Sequence, residues 1–176
     1  MPSRRDSVTP AAERPVGLAE PAVRGPVRRL QATTLGAGAV SALAAAGVLT
    51  LQSDPGYARA VLQARSWGAD EVTDADVAAF LTPAGAVPGT VAGIFVVTAL
   101  LVWGVQRLWR PARWAGTAAA IAGMLSGAFW SVDGGRMVAA GPAGILTLLA
   151  SFTMLVFCAV WLFVAHRRAT RDAFDG

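Results

Sequence analysis

Asp70, Glu71, Asp74 and Asp76 place four carboxylates within seven residues, a density that suits a hard divalent cation. Their spacing matches no EF-hand loop, and two of the four have another use. In VTDADV (72–77), Thr73 reads as a helix N-cap with Asp76 three residues on, and Val72 and Val77 stand at the staple positions around them. Asp74 and Asp76 also suit the positive end of the helix that follows. Capping accounts for the cluster, and no metal ligand is expected. The remaining reactive residue types are few. Asp133 and Arg136 in SVDGGRM read as charges paired across a tight Asp-Gly-Gly turn. His166, followed by Arg167 and Arg168, reads as a basic helix end. Cys158 lies in an apolar stretch, where a thiol is an inert packing group by default. Hydrolysis or group transfer needs a nucleophile, a base and an oxyanion site together, and each of these residues has a structural use instead. One cysteine forms no intramolecular disulfide and no Cys-based zinc or iron–sulfur site. One histidine forms no bis-histidine haem site within a chain. The expectation is a protein that is not an enzyme, with no catalytic residue and no cofactor.

A different concentration of charge lies at 107–114, RLWRPARW, with three arginines and two tryptophans between two uncharged stretches. A nucleic-acid contact would need a larger basic surface, so no nucleic-acid partner is expected. A membrane hairpin explains the stretch better. Its arginines resist translocation and suit anionic headgroups, Trp103, Trp109 and Trp114 suit the interfacial belt, and Pro111 is expected to break the helix so that the chain reverses.

Composition agrees with a membrane protein. The chain of 176 residues is 55% hydrophobic with mean hydropathy +0.51, and only 15% is charged, against about 25% in soluble domains. All fifteen basic residues are arginine, which together with abundant Ala, Gly and Val points to a GC-rich genome. The net charge of +4 matters less than its placement.

Four runs approach the length of about 20 apolar residues that a spanning helix needs. The expected spans are 30–51, 86–106, 114–132 and 141–165, none containing Asp, Glu, Arg, Lys or His. They are joined by a loop at 52–85, a turn at 107–113 and a turn at 133–140, with tails at 1–29 and 166–176. An ionised side chain at mid-bilayer costs roughly 2.5–3.5 kcal/mol on insertion scales, so clean runs insert readily. The first run is longer than a signal-peptide core and is read as a retained anchor. Twelve arginines flank one side of this layout and three (Arg59, Arg65, Arg136) the other, which by the positive-inside rule puts both termini in the cytoplasm.

The 1–29 leader holds five prolines and no large apolar face, and disorder is expected there. Its RRDS (Arg4–Ser7) resembles a basophilic kinase site, but a charged leader that fixes topology explains it more simply. In the 52–85 loop, Asp54-Pro55 is a helix start, followed by Tyr57, Val61, Ala64 and Trp67 on one face. A second short helix starts at Thr73, with Val77, Phe80 and Leu81 as its apolar edge and Pro83 and Pro88 beyond it. Small residues supply the seams between spans: Gly36, Gly38, Ser41 and Ala45 in the first, Gly89 and Gly93 in the second, Gly123 and Gly127 in the third. Packing within the bundle is expected of them, with dimer contacts as the alternative.

The absence of ionisable residues inside the runs argues against a coupled transporter acting alone. Small multidrug pumps need a buried glutamate, and four-helix disulfide-generating enzymes need cysteine pairs. The layout resembles a loose group of small four-span membrane proteins from high-GC Gram-positive bacteria, over about residues 30–174. The resemblance rests on a helix start like VTDADVAAF, a turn like RLWRPARWA and a tail ending near an aromatic, here Phe174. The Pro83–Pro88 break is a departure from it. The group implies no activity, cofactor or site residue. The expected fold is all-α, a four-helix transmembrane bundle with N-in/C-in topology and short amphipathic helices in the first extracytoplasmic loop. The expected location is the plasma membrane. The expected role is interaction or envelope support, with the lipid bilayer and a membrane-protein partner or homo-oligomer as partners. The alternative is a transporter subunit or oligomeric pore, marked by Thr33, Thr34, Ser41, Thr117, Ser126, Thr147, Ser151 and Thr153 on one inner surface. A headgroup-modifying enzyme would require the inner arginines and His166 in one pocket.

Overall fold

The computed structural model describes residues 21–65, 71–83, 85–132 and 134–175. The readings placed on Arg4–Ser7, Trp67, Asp70 and Asp133 fall outside the described residues. Those residues form helices and no strand. The order is α1 (Pro21–Gln52), α2 (Pro55–Arg65), α3 (Asp74–Phe80), α4 (Ala86–Gln106), α5 (Arg110–Val132), α6 (Gly134–Ala139), α7 (Pro142–His166) and α8 (Arg168–Asp175). Four of them, α1, α4, α5 and α7, are long and apolar enough to cross a membrane. At 1.5 Å per residue the shortest, α4, is about 31 Å long, close to the hydrocarbon thickness.

The packing order is α4, α1, α7, α5. Helices α1 and α7 form the central pair, α4 packs on α1, and α5 packs on α7. Helices α4 and α5 approach closely near the turn that joins them, where Gly104 faces Ala112. A continuous core runs through Leu30, Val105, Trp161, Ala165 and Phe174. A smaller one joins Val48, Leu51 and Met137 at the opposite end. Antiparallel neighbours bring the start of α1, the α4–α5 turn and the α7–α8 junction together. Among the described residues, nine arginines (24, 28, 29, 107, 110, 113, 167, 168 and 171) therefore share that end with two acids, Asp172 and Asp175.

Several local expectations change. Helix α1 starts at Pro21 and passes through Pro26, so 21–29 is helical where disorder was expected. The reason is a long-range partner: Leu30 is fully buried and Val27 packs on the same core as Phe174 of α8. The C-terminal segment is likewise a docked helix. Thr170 and Phe174 are buried, and Arg110 donates from Nε to the Phe174 carbonyl at 3.1 Å and from Nη2 to the Asp175 carbonyl at 2.9 Å. Reversal at 107–109 does not come from Pro111, which sits in the first turn of α5, where its missing N–H costs nothing. It comes from Leu108, in the left-handed region at φ 52°. The Trp109 N–H donates to the Gly104 carbonyl at 3.0 Å and the Leu108 N–H to the Val105 carbonyl at 3.1 Å, the paired bonds of a Schellman motif. Glycine is usual at that position; Leu108 instead packs its side chain on the core.

Gly134–Ala139 form a short helix, α6, within the segment expected to be a turn. Its Met137 is buried and its carbonyl lies where a Cβ on Gly144 would sit, so α7 can approach only because residue 144 has no side chain. In the α1–α4 connection, Asp54 accepts from the Tyr57 N–H at 2.7 Å and caps α2. Thr73 and Asp76 form the full capping box of α3, with Val77 buried beneath. The Thr82 N–H donates to the Gln52 carbonyl at 3.1 Å, which ties the end of this segment to the end of α1. Helix α3 stops at Phe80 and α4 begins at Ala86, with Pro83 between them.

Candidate functional site

The residues that could do chemistry do not converge. Asp74 is ion-paired with Arg59, and Asp76 is engaged by Thr73. The Thr73 N–H and hydroxyl both donate to Asp76 Oδ2, at 2.9 and 2.6 Å, and hold its carboxyl below the usual aspartate range. Glu71 is exposed. No group of three metal-ligating side chains occurs among the described residues. His166 is exposed, with Nδ1 2.9 Å from its own-helix Leu162 carbonyl and its ring edge-on to Trp114 at 6.4 Å. The arginines of that end spread rather than gather. Arg107 lies over Trp103, Arg113 over Trp114 and Arg167 over Phe163, at 5.4, 5.7 and 4.5 Å. Cys158 is buried against Gly123.

What the fold does assemble is a half-open cleft of about 540 Å³ between the four long helices. Helices α1 and α7 floor it, and α4 and α5 diverge above it beyond the Gly104–Ala112 contact. Its walls are mainly glycine, alanine and aliphatic side chains. On α1 it runs from Thr34 to Leu49 and on α5 from Gly116 to Trp130, in each case about 21–22 Å along the axis.

At the arginine end the cleft is closed by a three-helix joint. The Trp161 Nε1–H of α7 donates to Thr34 Oγ1 of α1 at 2.9 Å, and the Thr34 hydroxyl donates to the Leu30 carbonyl at 2.7 Å. The outer ring of the same indole lies against Gly116 of α5, where a Cβ would stand 2.3 Å from Cζ2 and 2.4 Å from Cη2. Both polar groups are therefore satisfied in a buried place, where an unmade hydrogen bond would be costly. Sequence periodicity alone does not reveal this joint, because it depends on which small residue faces which aromatic.

The eight hydroxyls proposed as a path are scattered. Thr33, Thr34, Thr117, Thr147, Ser151 and Thr153 donate to carbonyls of their own helices at 2.7–3.1 Å. Of the eight, Thr34, Ser41 and Ser126 line the cleft.

The glycine seams divide. Gly123 and Gly127 press on Cys158, Leu155 and Met154 of α7, and Gly38 on Thr98 of α4, so these are contacts within the bundle. Gly89 and Gly93 differ: a Cβ at either position would meet open space. That pair packs against no part of the described chain, contrary to the expectation of packing within the bundle. A periodic small-residue pattern says that close approach is possible, not which neighbour makes it.

Searches of protein-family models, curated proteins and solved structures return no match for this chain, so the geometry of the cleft and the charged end carries the functional reading.

Proposed function

We propose that this chain is a non-enzymatic multi-pass protein of the cell membrane, with both termini in the cytoplasm and an interaction or envelope-support role. The observation that carries the reading is the segregation of its polar groups. Nine arginines collect at one end of four apolar helices. Within the helices the hydroxyls mostly bond their own backbones. Such a body suits lipid because its helical backbone donors, and most hydroxyls within the helices, are satisfied internally. Its arginines anchor the end that faces the anionic leaflet. Helices α2 and α3 then lie at the outer surface, covering the other end of the bundle.

The test is crosslinking in native membranes at an exposed position of α4, such as Val96, followed by identification of what is captured. An integral-membrane partner without transport activity, or a second copy, is the expected product. Recovery of a permease core would replace this reading with that of a transporter subunit.

A further inference from the structure

The arginines at the charged end are of two kinds. The two acids there are already engaged: Asp175 lies 3.5 Å from Arg110, and Asp172 lies 3.8 Å from Arg168. Arg107 and Arg167 have no carboxylate partner among the described residues. Each lies instead over the ring four residues before it, Arg107 over Trp103 at 5.4 Å and Arg167 over Phe163 at 4.5 Å. Each also stands at the C-cap of a long apolar helix, α4 for Arg107 and α7 for Arg167. The same device is therefore built twice, on two helices that end on the same side of the bundle. The third stack differs. Arg113 lies over Trp114, the next residue, and its Nη1 is buried, so it offers no open fork.

Stacking decides what each guanidinium can still bind. The ring covers one face, and the in-plane N–H donors remain at the edge, where they match a phosphate bidentately. Both arginines are exposed, so an acceptor can reach them. The rings are exposed too, Trp103 to 52% and Phe163 to 62%, and each stands about 6 Å from its arginine toward the middle of the span. A free phosphate would engage the guanidinium and leave the ring uncovered. A phospholipid covers both, with its phosphate at the guanidinium and its glycerol and first acyl carbons along the ring, the depth that suits interfacial aromatics. The surrounding charge selects the headgroup. Clusters of about 4–8 basic residues beside a span mark attraction to anionic lipid, and this end carries nine arginines with two acids among the described residues.

We propose that Arg107 with Trp103, and Arg167 with Phe163, are two headgroup sites for anionic glycerophospholipids, each holding one lipid phosphate at the arginine end. Arg28 and Arg171, which are exposed at the same end and stack on no ring, add only to the general field. This proposal rests on the membrane-spanning reading above, and the two fail separately. A chain that stays in solution without detergent or lipid overturns the membrane reading. A chain that needs detergent yet shows no lipid preference overturns this proposal alone.

The test compares double variants of equal charge. The full chain is purified in a mild detergent and titrated with phosphatidylglycerol or phosphatidylcholine of identical acyl chains. Bound lipid is counted by native mass spectrometry, with helicity checked by circular dichroism. The wild type should hold two phosphatidylglycerols, one per site, in preference to phosphatidylcholine. An arginine near an anionic surface strengthens binding about fivefold, so Arg107→Gln with Arg167→Gln should weaken each site by about that factor and abolish the preference. Arg28→Gln with Arg171→Gln removes the same charge, touches neither ring and should keep the wild-type count. Trp103→Leu with Phe163→Leu keeps every charge but frees both guanidiniums, and should lower the count. Equal losses in the two arginine doubles would reduce the effect to net charge and overturn the sites. An unchanged count in the ring double overturns the stacking. Equal retention of the two lipids by wild type overturns the headgroup assignment. Displacement of the lipid by an equal concentration of glycerophosphoglycerol, the soluble headgroup, would assign the sites to a free phosphate and also overturn the proposal.

Discussion

Gly116→Ala tests the joint that closes the bundle. The new methyl would stand 2.3 Å from Trp161 Cζ2 and 2.4 Å from Cη2, far inside the about 3.5–4.0 Å at which carbon atoms rest. The indole cannot swing aside freely, because its Nε1–H is bonded to Thr34 Oγ1 at 2.9 Å. Overpacking costs about 1–3 kcal/mol, and a hydrogen bond between membrane helices contributes about 0.6 and up to about 1.7 kcal/mol. A shift that relieves the clash at the expense of the bond gives a total of about 2–4 kcal/mol. The assay is reversible unfolding by SDS in mixed micelles, followed by circular dichroism. The partner variant is Trp161→Phe, because the two atoms in the way belong to the outer indole ring, which Phe lacks. Alone, that variant loses the bond and leaves a void. With Gly116→Ala the methyl enters the void, so the double variant should be more stable than the sum of the singles by about 1 kcal/mol or more. A Gly116→Ala protein within about 0.5 kcal/mol of wild type, or a strictly additive double, would refute the joint.

Four further outcomes follow from the other contacts of the fold. Phe174→Ala should free α8 and the first turns of α1, costing about 3–5 kcal/mol and raising amide exchange in both segments while α4 and α5 stay protected. Thr73→Ala should cost about 1 kcal/mol in the α3 region, read as faster exchange at 74–80. The folded-state pKa of Asp76 lies below its unfolded value, so its contribution is fully present above the unfolded value of 3.8 and is lost as pH falls through the lowered one. Protection of α3 should accordingly hold from neutrality to near pH 4 and decline below it. Gly144→Ala drives a Cβ onto the Met137 backbone carbonyl, which cannot rotate away as a side chain would, so α6 and the start of α7 should separate with loss of exchange protection in both.

The four long helices are legible in the sequence because hydrocarbon tolerates few charges, and uncharged runs of that length stand out in a chain with 15 arginines. The caps at Asp54 and Thr73 are legible for a related reason: each is decided within four residues. What escapes is whatever depends on a distant neighbour. The helical start of α1 requires Phe174, over 140 positions away, and the docking of α8 requires Arg110. The reversal at Leu108 hides because a leucine stands where the left-handed residue is usually glycine. The cleft is invisible in the sequence, since it arises from the divergence of α4 and α5 and not from any residue pattern. Of the candidate chemical residues, His166 and the arginines are legible as a helix end and a charged flank. Their failure to share a pocket is a fact of geometry alone.

The central claim is that the arginine-rich end faces the cytoplasm and the α2–α3 segment faces outward. Replacing Cys158 with Ser removes the single native thiol, after which Glu71→Cys and Arg171→Cys are introduced separately. Both positions are exposed. A membrane-impermeant maleimide applied to intact cells should modify Glu71→Cys and leave Arg171→Cys untouched until the membrane is opened. Modification of Arg171→Cys in intact cells, with Glu71→Cys protected, would contradict the claim.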